Sequence, residues 1–164
     1  MKKDDLLSVL IGALVIDTVI IAMNYGRFIF VSDQLTRWYT TCRVSAMTMD
    51  TLIIVLYATI GMRLARRSDK NPSVRDDLAC IVGVQVVGDL LFYAFFQALP
   101  RGTLVFDIFK DYAAEVGAHA LWADAVMMAG TYFVARAIAN RSMDTKLLSL
   151  ISVAYVSQYV LFLK

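Results

Sequence analysis

The sequence predicts an all-α fold: a polytopic membrane bundle of five transmembrane helices with one amphipathic helix at the membrane surface. Three observations predict it. Of the 164 residues, 59% are hydrophobic and 18% are charged, and the mean hydropathy is +0.63. Soluble domains run nearer half apolar and about a quarter charged. The apolar residues are bunched into runs, with the charges in short gaps between them. Five runs approach the roughly 20 residues that a helix needs to cross the hydrocarbon core, at 6–25, 44–65, 78–99, 117–139 and 146–163.

The first run follows "MKKDDLL". A basic start can open a signal peptide, but the apolar stretch reaches about residue 23, includes Asp17, and is closed by no small-residue cleavage pattern. It is expected to be the first span. The connection 25–43, "YGRFIFVSDQLTRWYTTCR", mixes Tyr25, Phe28, Phe30, Trp38 and Tyr39 with arginines. That composition suits a membrane–water interface, where amphipathic rings settle at headgroup level. It suits an aromatic-rich protein contact equally well. After the second span, "SDKNPSVRDDLA" holds Pro72, then Ser73 and Asp76 at capping-box spacing, which starts the third. "ALPRGTL" ends that span at Pro100 and turns at Gly102.

The next stretch, "LVFDIFKDYAAEVGA", has Val105, Ile108, Phe109, Tyr112 and Val116 on one face at helical spacing. Asp107, Lys110, Asp111 and Glu115 fall on the other. This is the expected amphipathic helix, about 104–116, lying on the surface before the chain enters span four. Its charged residues read either as a solvated face or as a docking surface for a basic partner.

Lys and Arg give the orientation. With the N-terminus cytoplasmic, that side collects Lys2, Lys3, Arg63, Arg66, Arg67, Lys70, Arg75, Arg136, Arg141 and Lys146, against Arg27, Arg37, Arg43, Arg101, Lys110 and Lys164 opposite. The bias predicts N-in and C-out. A short internal repeat also shows. Ala46 to Asp50 parallels Ala120 to Asp124, and each continues to a basic exit at Arg63 or Arg136. Gly12 and Gly83 precede Asp17 and Asp89 by five or six residues. The chain, one membrane domain, reads as two helical hairpins in parallel repeat plus a fifth helix.

The residues that stand out are four carboxylates, one in each of the first four spans: Asp17, Asp50, Asp89 and Asp124. An ionised group at mid-bilayer costs about 2.5–3.5 kcal/mol on insertion scales, so such residues face the protein interior and find partners. Other polar groups share their faces: Asn24 after Asp17, Tyr57 after Asp50, Thr131 after Asp124. Around Asp89 runs a four-spaced stripe of Gln85, Tyr93 and Gln97. At about 1.5 Å per residue, Asp17 and Asp89 sit near mid-membrane, while Asp50 and Asp124 lie about 9–10 Å from the far surface. All four can converge. Two readings stay open: polar glue that fixes helix register, or a wet path for protons or cations along acids close enough to share protons.

Other chemistry finds no residues. Cys42 and Cys80 form no metal spacing, and with one histidine no zinc, haem or iron–sulfur site is expected, nor any cofactor. No Walker loop, GxSxG motif or potassium filter is present, so no catalytic residue is assigned and no enzyme expected. His119 reads as an ordinary helix-entrance histidine, with proton transfer as its alternative.

"DIFKDYAAEVGAHALWADAVMM", residues 107–128, carries a "DYxxEVG" helix that runs into an "A-D-x-x-M-M" span. In this it resembles small multi-span membrane proteins of nucleocytoplasmic large DNA viruses of the chlorovirus and mimivirus kind. Trp122 stands where that pattern often has a small residue. The resemblance implies a virion protein of the internal lipid membrane that links membrane to capsid through its surface segments. The expected function is therefore non-enzymatic and structural, with lipid, capsid or other membrane proteins as partners and no nucleic acid. A homo-oligomer remains open. The alternative is a small proton or cation channel or transporter that uses the Asp cluster.

Overall fold

Three of the long apolar runs begin at a polar cap. Asp5 accepts from the backbone N–H and the hydroxyl of Ser8 (3.3 and 2.8 Å) and opens α1, Leu6–Tyr25. Ser73 and Asp76 close the expected capping box and open α4, Val74–Ala98. Ser142 accepts from the Thr145 N–H and opens α7, Met143–Leu161. Between these lie α2 (Asp33–Cys42), α3 (Val44–Ser68), α5 (Leu104–Val116) and α6 (His119–Ile138). The computed structural model describes residues 5–29 and 31–164, which are all helix and turn, with no strand among them. Lys2, Lys3 and Phe30, used above for orientation and the aromatic belt, lie outside the described residues.

All five expected runs are helical, and the short amphipathic helix falls where its periodicity put it. Three helices, α1, α3 and α4, are both long and apolar enough to cross a membrane, fewer than the five expected. The reason lies in composition. α6 holds Asp124, Thr131, Tyr132 and Arg136, and α7 starts Met-Asp-Thr-Lys and carries Ser149, Ser152, Ser157 and Gln158. Their lengths, 20 and 19 residues, match that of α1.

α1, α3, α4, α6 and α7 run alternately between two ends of the bundle. At one end Lys146 Nζ reaches Asp5 Oδ2 (2.5 Å) and the Ala139 carbonyl (2.8 Å), and Tyr132 donates to Asp77 (2.8 Å). At the other, α2 packs on α5, and Arg43 holds the carbonyls of Leu161 and Lys164. The contacts follow one pattern. α1 packs on α6 as α3 packs on α4, and α1 meets α3 as α4 meets α6. Each half is long helix, short helix, long helix, with α7 added against α1.

Close approach depends on small residues. A Cβ on Gly12 would lie 2.6 Å from the Thr131 carbonyl oxygen, so only glycine lets α1 and α6 meet there. Outward faces are apolar, with Leu52 and Leu56 on α3, Leu91 and Phe95 on α4, and Leu148 and Ile151 on α7 all exposed. Such faces suit lipid rather than water.

α2 is the element that the sequence reading lacks. The composition of 25–43 suits an interfacial aromatic stretch. Instead Ser32 accepts from Leu35 N–H (3.0 Å) and starts a helix that buries Trp38 and Tyr39, each 2% exposed. A short capped helix roofs the bundle end, and its rings point inward, which is the protein contact that the composition of 25–43 also suits.

Candidate functional site

Because α2 lies over the bundle, its rings reach down to two of the acids. The Tyr39 hydroxyl lies 2.7 Å from Asp50 Oδ2 and 3.1 Å from Asp17 Oδ1. The Trp38 indole N–H donates to the same Asp50 oxygen (3.0 Å), and the Thr51 hydroxyl donates to Asp17 Oδ2 (3.2 Å). Asp17 is completely buried. Thus α1, α2 and α3 are tied through one phenol.

The second pair sits between α4 and α6. Asp89 and Asp124 lie near enough there for each carboxyl to act on the other. Gln85, one turn before Asp89, gives its amide N–H to Asp89 Oδ2 and to the Leu121 carbonyl (3.4 Å). Asp50 is near enough for its charge to act on Asp124, and Tyr112 of α5 is near enough to feel Asp50, Asp89 and Asp124. The four acids converge.

Hydrogen counting constrains their chemistry. A phenol has one proton to donate, and Tyr39 touches two carboxyls. Asp50 Oδ2 already takes the Trp38 N–H. Both contacts are hydrogen bonds at once only when one of the two carboxyls carries a proton and donates it to the Tyr39 oxygen. A carboxyl–carboxyl contact likewise needs a shared proton, because two carboxylates only repel. The donors to Asp17, Asp50 and Asp89 are neutral side chains. The arrangement can hold protons, and it can tie helices.

Other parts of the expected stripes fall elsewhere. Tyr93 is 54% exposed and stands apart from the acids. Each four-residue step turns about 40° around a helix. Gln85 and Asp89 share a face, while Tyr93 and Gln97 have rotated off it. Asn24 donates to Thr36 (2.8 Å) and accepts from the Ser32 N–H (3.0 Å), anchoring the start of α2 rather than serving Asp17. The Tyr57 ring lies against Gly88, on the α4 side of the bundle. Thr131 is fully buried, with a hydroxyl that has no partner among the described residues. His119 is exposed beside the Val116 carbonyl (3.3 Å), away from the acids.

The four docking candidates on α5 are engaged within the chain. Asp107 accepts from the Gly102 N–H (3.2 and 3.1 Å), and Asp111 pairs with Arg101 (2.8 Å). Lys110 reaches the carbonyls of Gln97 (3.3 Å) and Leu99 (2.5 Å) at the end of α4. Glu115 takes the N–H groups of Asp33 (2.8 Å) and Gln34 (3.0 Å) and the Ser32 hydroxyl (2.9 Å), which caps α2. Phe109 packs on Trp38, ring centres 5.0 Å apart. The apolar face of α5 therefore meets α2 as well as the bundle, because two short amphipathic helices at one end bury their faces on each other.

Sequence reasoning missed Trp38, Tyr39, Thr51 and the capping role of Glu115. The signal was there in Ser32 followed by Leu35, Trp38, Tyr39 and Cys42 at helical spacing. In comparisons with protein-family models, curated proteins and solved structures, nothing matches this chain.

Proposed function

We propose that the protein is a non-enzymatic structural membrane protein with five spans, in which buried acids act as interhelical ties. One observation carries the reading. The Asp17 and Asp50 carboxyls are closed by neutral donors on neighbouring helices, with Tyr39 joining both. That is how polar side chains fix register in a bilayer, where they specify packing more than they stabilise it. The alternation of α1, α3, α4, α6 and α7 between two ends supports five crossings, with α2 and α5 at the non-cytoplasmic surface. The like order of the halves supports two parallel repeats, Asp17 and Asp50 in one and Asp89 and Asp124 in the other.

The setting we attach to it is the internal membrane of a large DNA virus, beside capsid proteins. The resemblance of residues 107–128 carries that part, and immunogold labelling of particles for this chain tests it. A tether to the capsid would use surfaces other than the acids of α5, which are occupied.

Topology is tested by a membrane-impermeant thiol reagent on sealed vesicles of known orientation. Cys80 should react from the cytoplasmic side and Cys42 from the opposite side. Reaction of both from one side rules out five crossings.

The second reading is a proton or cation path, favoured by the closeness of the acids within each pair. Reconstituted liposomes separate the two. The structural reading expects no flux from the wild-type chain, whereas a pH-dependent current lost in Asp89→Asn would replace it with the path.

A further inference from the structure

At the end of the bundle opposite α2 and α5, the start of α1 and the last turns of α3 enclose a cavity of about 140 Å³. One water needs only about 10–15 Å³, so a larger group fits. Asp5, Leu6 and Val9 line it from the start of α1, and Thr59, Met62, Arg63 and Arg66 line it from α3. The α3 residues follow i, i+3, i+4 and i+7 spacing, which brings two guanidiniums and one hydroxyl onto a single face. The Thr59 hydroxyl is buried and has no partner among the described residues. Other helical hydroxyls turn back on the carbonyl one turn earlier, as Thr18 (2.6 Å), Thr48 (2.7 Å) and Ser157 (2.6 Å) do. Thr59 instead keeps an unused donor.

Asp5 is the acid among the lining residues, and Lys146 neutralises it at 2.5 Å. The charged groups left on the wall are the two arginines, beside the apolar side chains of Leu6, Val9 and Met62. Each arginine already has an interaction within the chain. A guanidinium has five N–H donors, so it can serve a partner and a phosphate oxygen together. Leu6 and Arg63 are exposed, so the cavity is reached from the outer face of the bundle. We propose that it binds the phosphate of an anionic phospholipid: Arg63 and Arg66 hold the phosphate oxygens, Thr59 donates its hydroxyl, and the acyl chains leave past Leu6. Basic pockets between spans near a membrane surface suit anionic head groups in this way, whereas a free phosphate would have no use for the apolar exit. The site rests on the reading of α1 and α3 as membrane spans and not on the capsid link.

The test measures binding of a fluorescent phosphatidic acid to the full chain in micelles of neutral detergent. Unlabelled phosphatidic acid should displace it, and phosphatidylcholine, whose head group carries a compensating cation, should do so about ten-fold more weakly. Glycerol phosphate and inorganic phosphate should fail at the same concentration, because they lack the chains. Arg63→Gln and Arg66→Gln should each weaken binding about five-fold. Arg67→Gln, next in the chain but outside the cavity, should leave it nearly unchanged. Thr59→Val keeps the shape, removes the hydroxyl and should weaken binding as well. Circular dichroism checks that each variant keeps its helix content. Equal losses from all three arginine variants would mean diffuse attraction and overturn the site, as would unchanged binding in Arg63→Gln and Arg66→Gln. Equal displacement by phosphatidylcholine or by inorganic phosphate would overturn the anionic lipid as occupant, and normal binding in Thr59→Val would overturn the role of its hydroxyl. Release of the chain from membranes by alkaline carbonate would overturn the membrane reading, whereas a chain that stays but binds no phosphatidic acid would overturn the site alone.

Discussion

The Tyr39 hydroxyl joins Asp17 and Asp50, at 3.1 and 2.7 Å, and so fastens α2 onto both α1 and α3. Removing that oxygen alone should be costly. Tyr39→Phe keeps the ring but leaves the enclosed Asp17 with Thr51 as its remaining hydrogen-bond partner. Leaving a buried polar group short of a partner costs about 1–3 kcal/mol. Denaturant unfolding in detergent should show a loss of that size, and an unchanged midpoint would mean the bridge contributes nothing.

Gly12 permits contact between α1 and α6. Gly12→Val would drive a side chain against the Thr131 carbonyl and Ala135, and overpacking of this kind costs about 1–3 kcal/mol. A Cβ at Gly83 would meet nothing within 4 Å, so Gly83→Ala should be neutral or stabilising by up to about 1 kcal/mol. Parallel thermal melts compare the two, and equal losses would contradict the packing described.

Glu115 caps α2 from a different helix. Glu115→Ala should uncover the N–H groups of Asp33 and Gln34, at about 1 kcal/mol for a lost helix cap. Amide hydrogen exchange should accelerate at residues 33–35 while the middle of α3 stays protected. Uniform acceleration throughout would instead indicate global loosening.

Asp5 and Lys146 give stability a pH dependence at the other end of the bundle. Burial raises the Asp5 pKa, but the Lys146 ammonium and the Ser8 hydroxyl and N–H outweigh it, so the carboxyl sits below its usual value. A lowered pKa means the contribution is complete above the unfolded value, about 3.9, and is lost as pH falls through the lower folded value. Unfolding midpoints should therefore drop on acidification below about pH 4. In Lys146→Met the partner is gone, so stability should start lower at neutral pH and lose less on acidification. Identical acid limbs in the two proteins would exclude this pair as the cause.

The sequence by itself determined the helices, because their signals are local. Apolar runs of membrane length, Ser73 with Asp76, and the two-faced pattern of 104–116 each act within a few turns of chain. It also determined that the acids had to face inward, since an unpartnered carboxyl is too costly against lipid. Only the tertiary structure decided which partners they meet. Tyr39 and Asp17 are 22 residues apart, and Glu115 and Asp33 are 82 apart. Such pairs depend on α2 folding back over the bundle and meeting α5, which no periodicity encodes. Tyr93 shows the converse: its spacing from Asp89 matched, but rotation along α4 carried it to the outer face. Helix faces follow from repeat spacing, whereas hydrogen-bond partners follow from how whole helices dock.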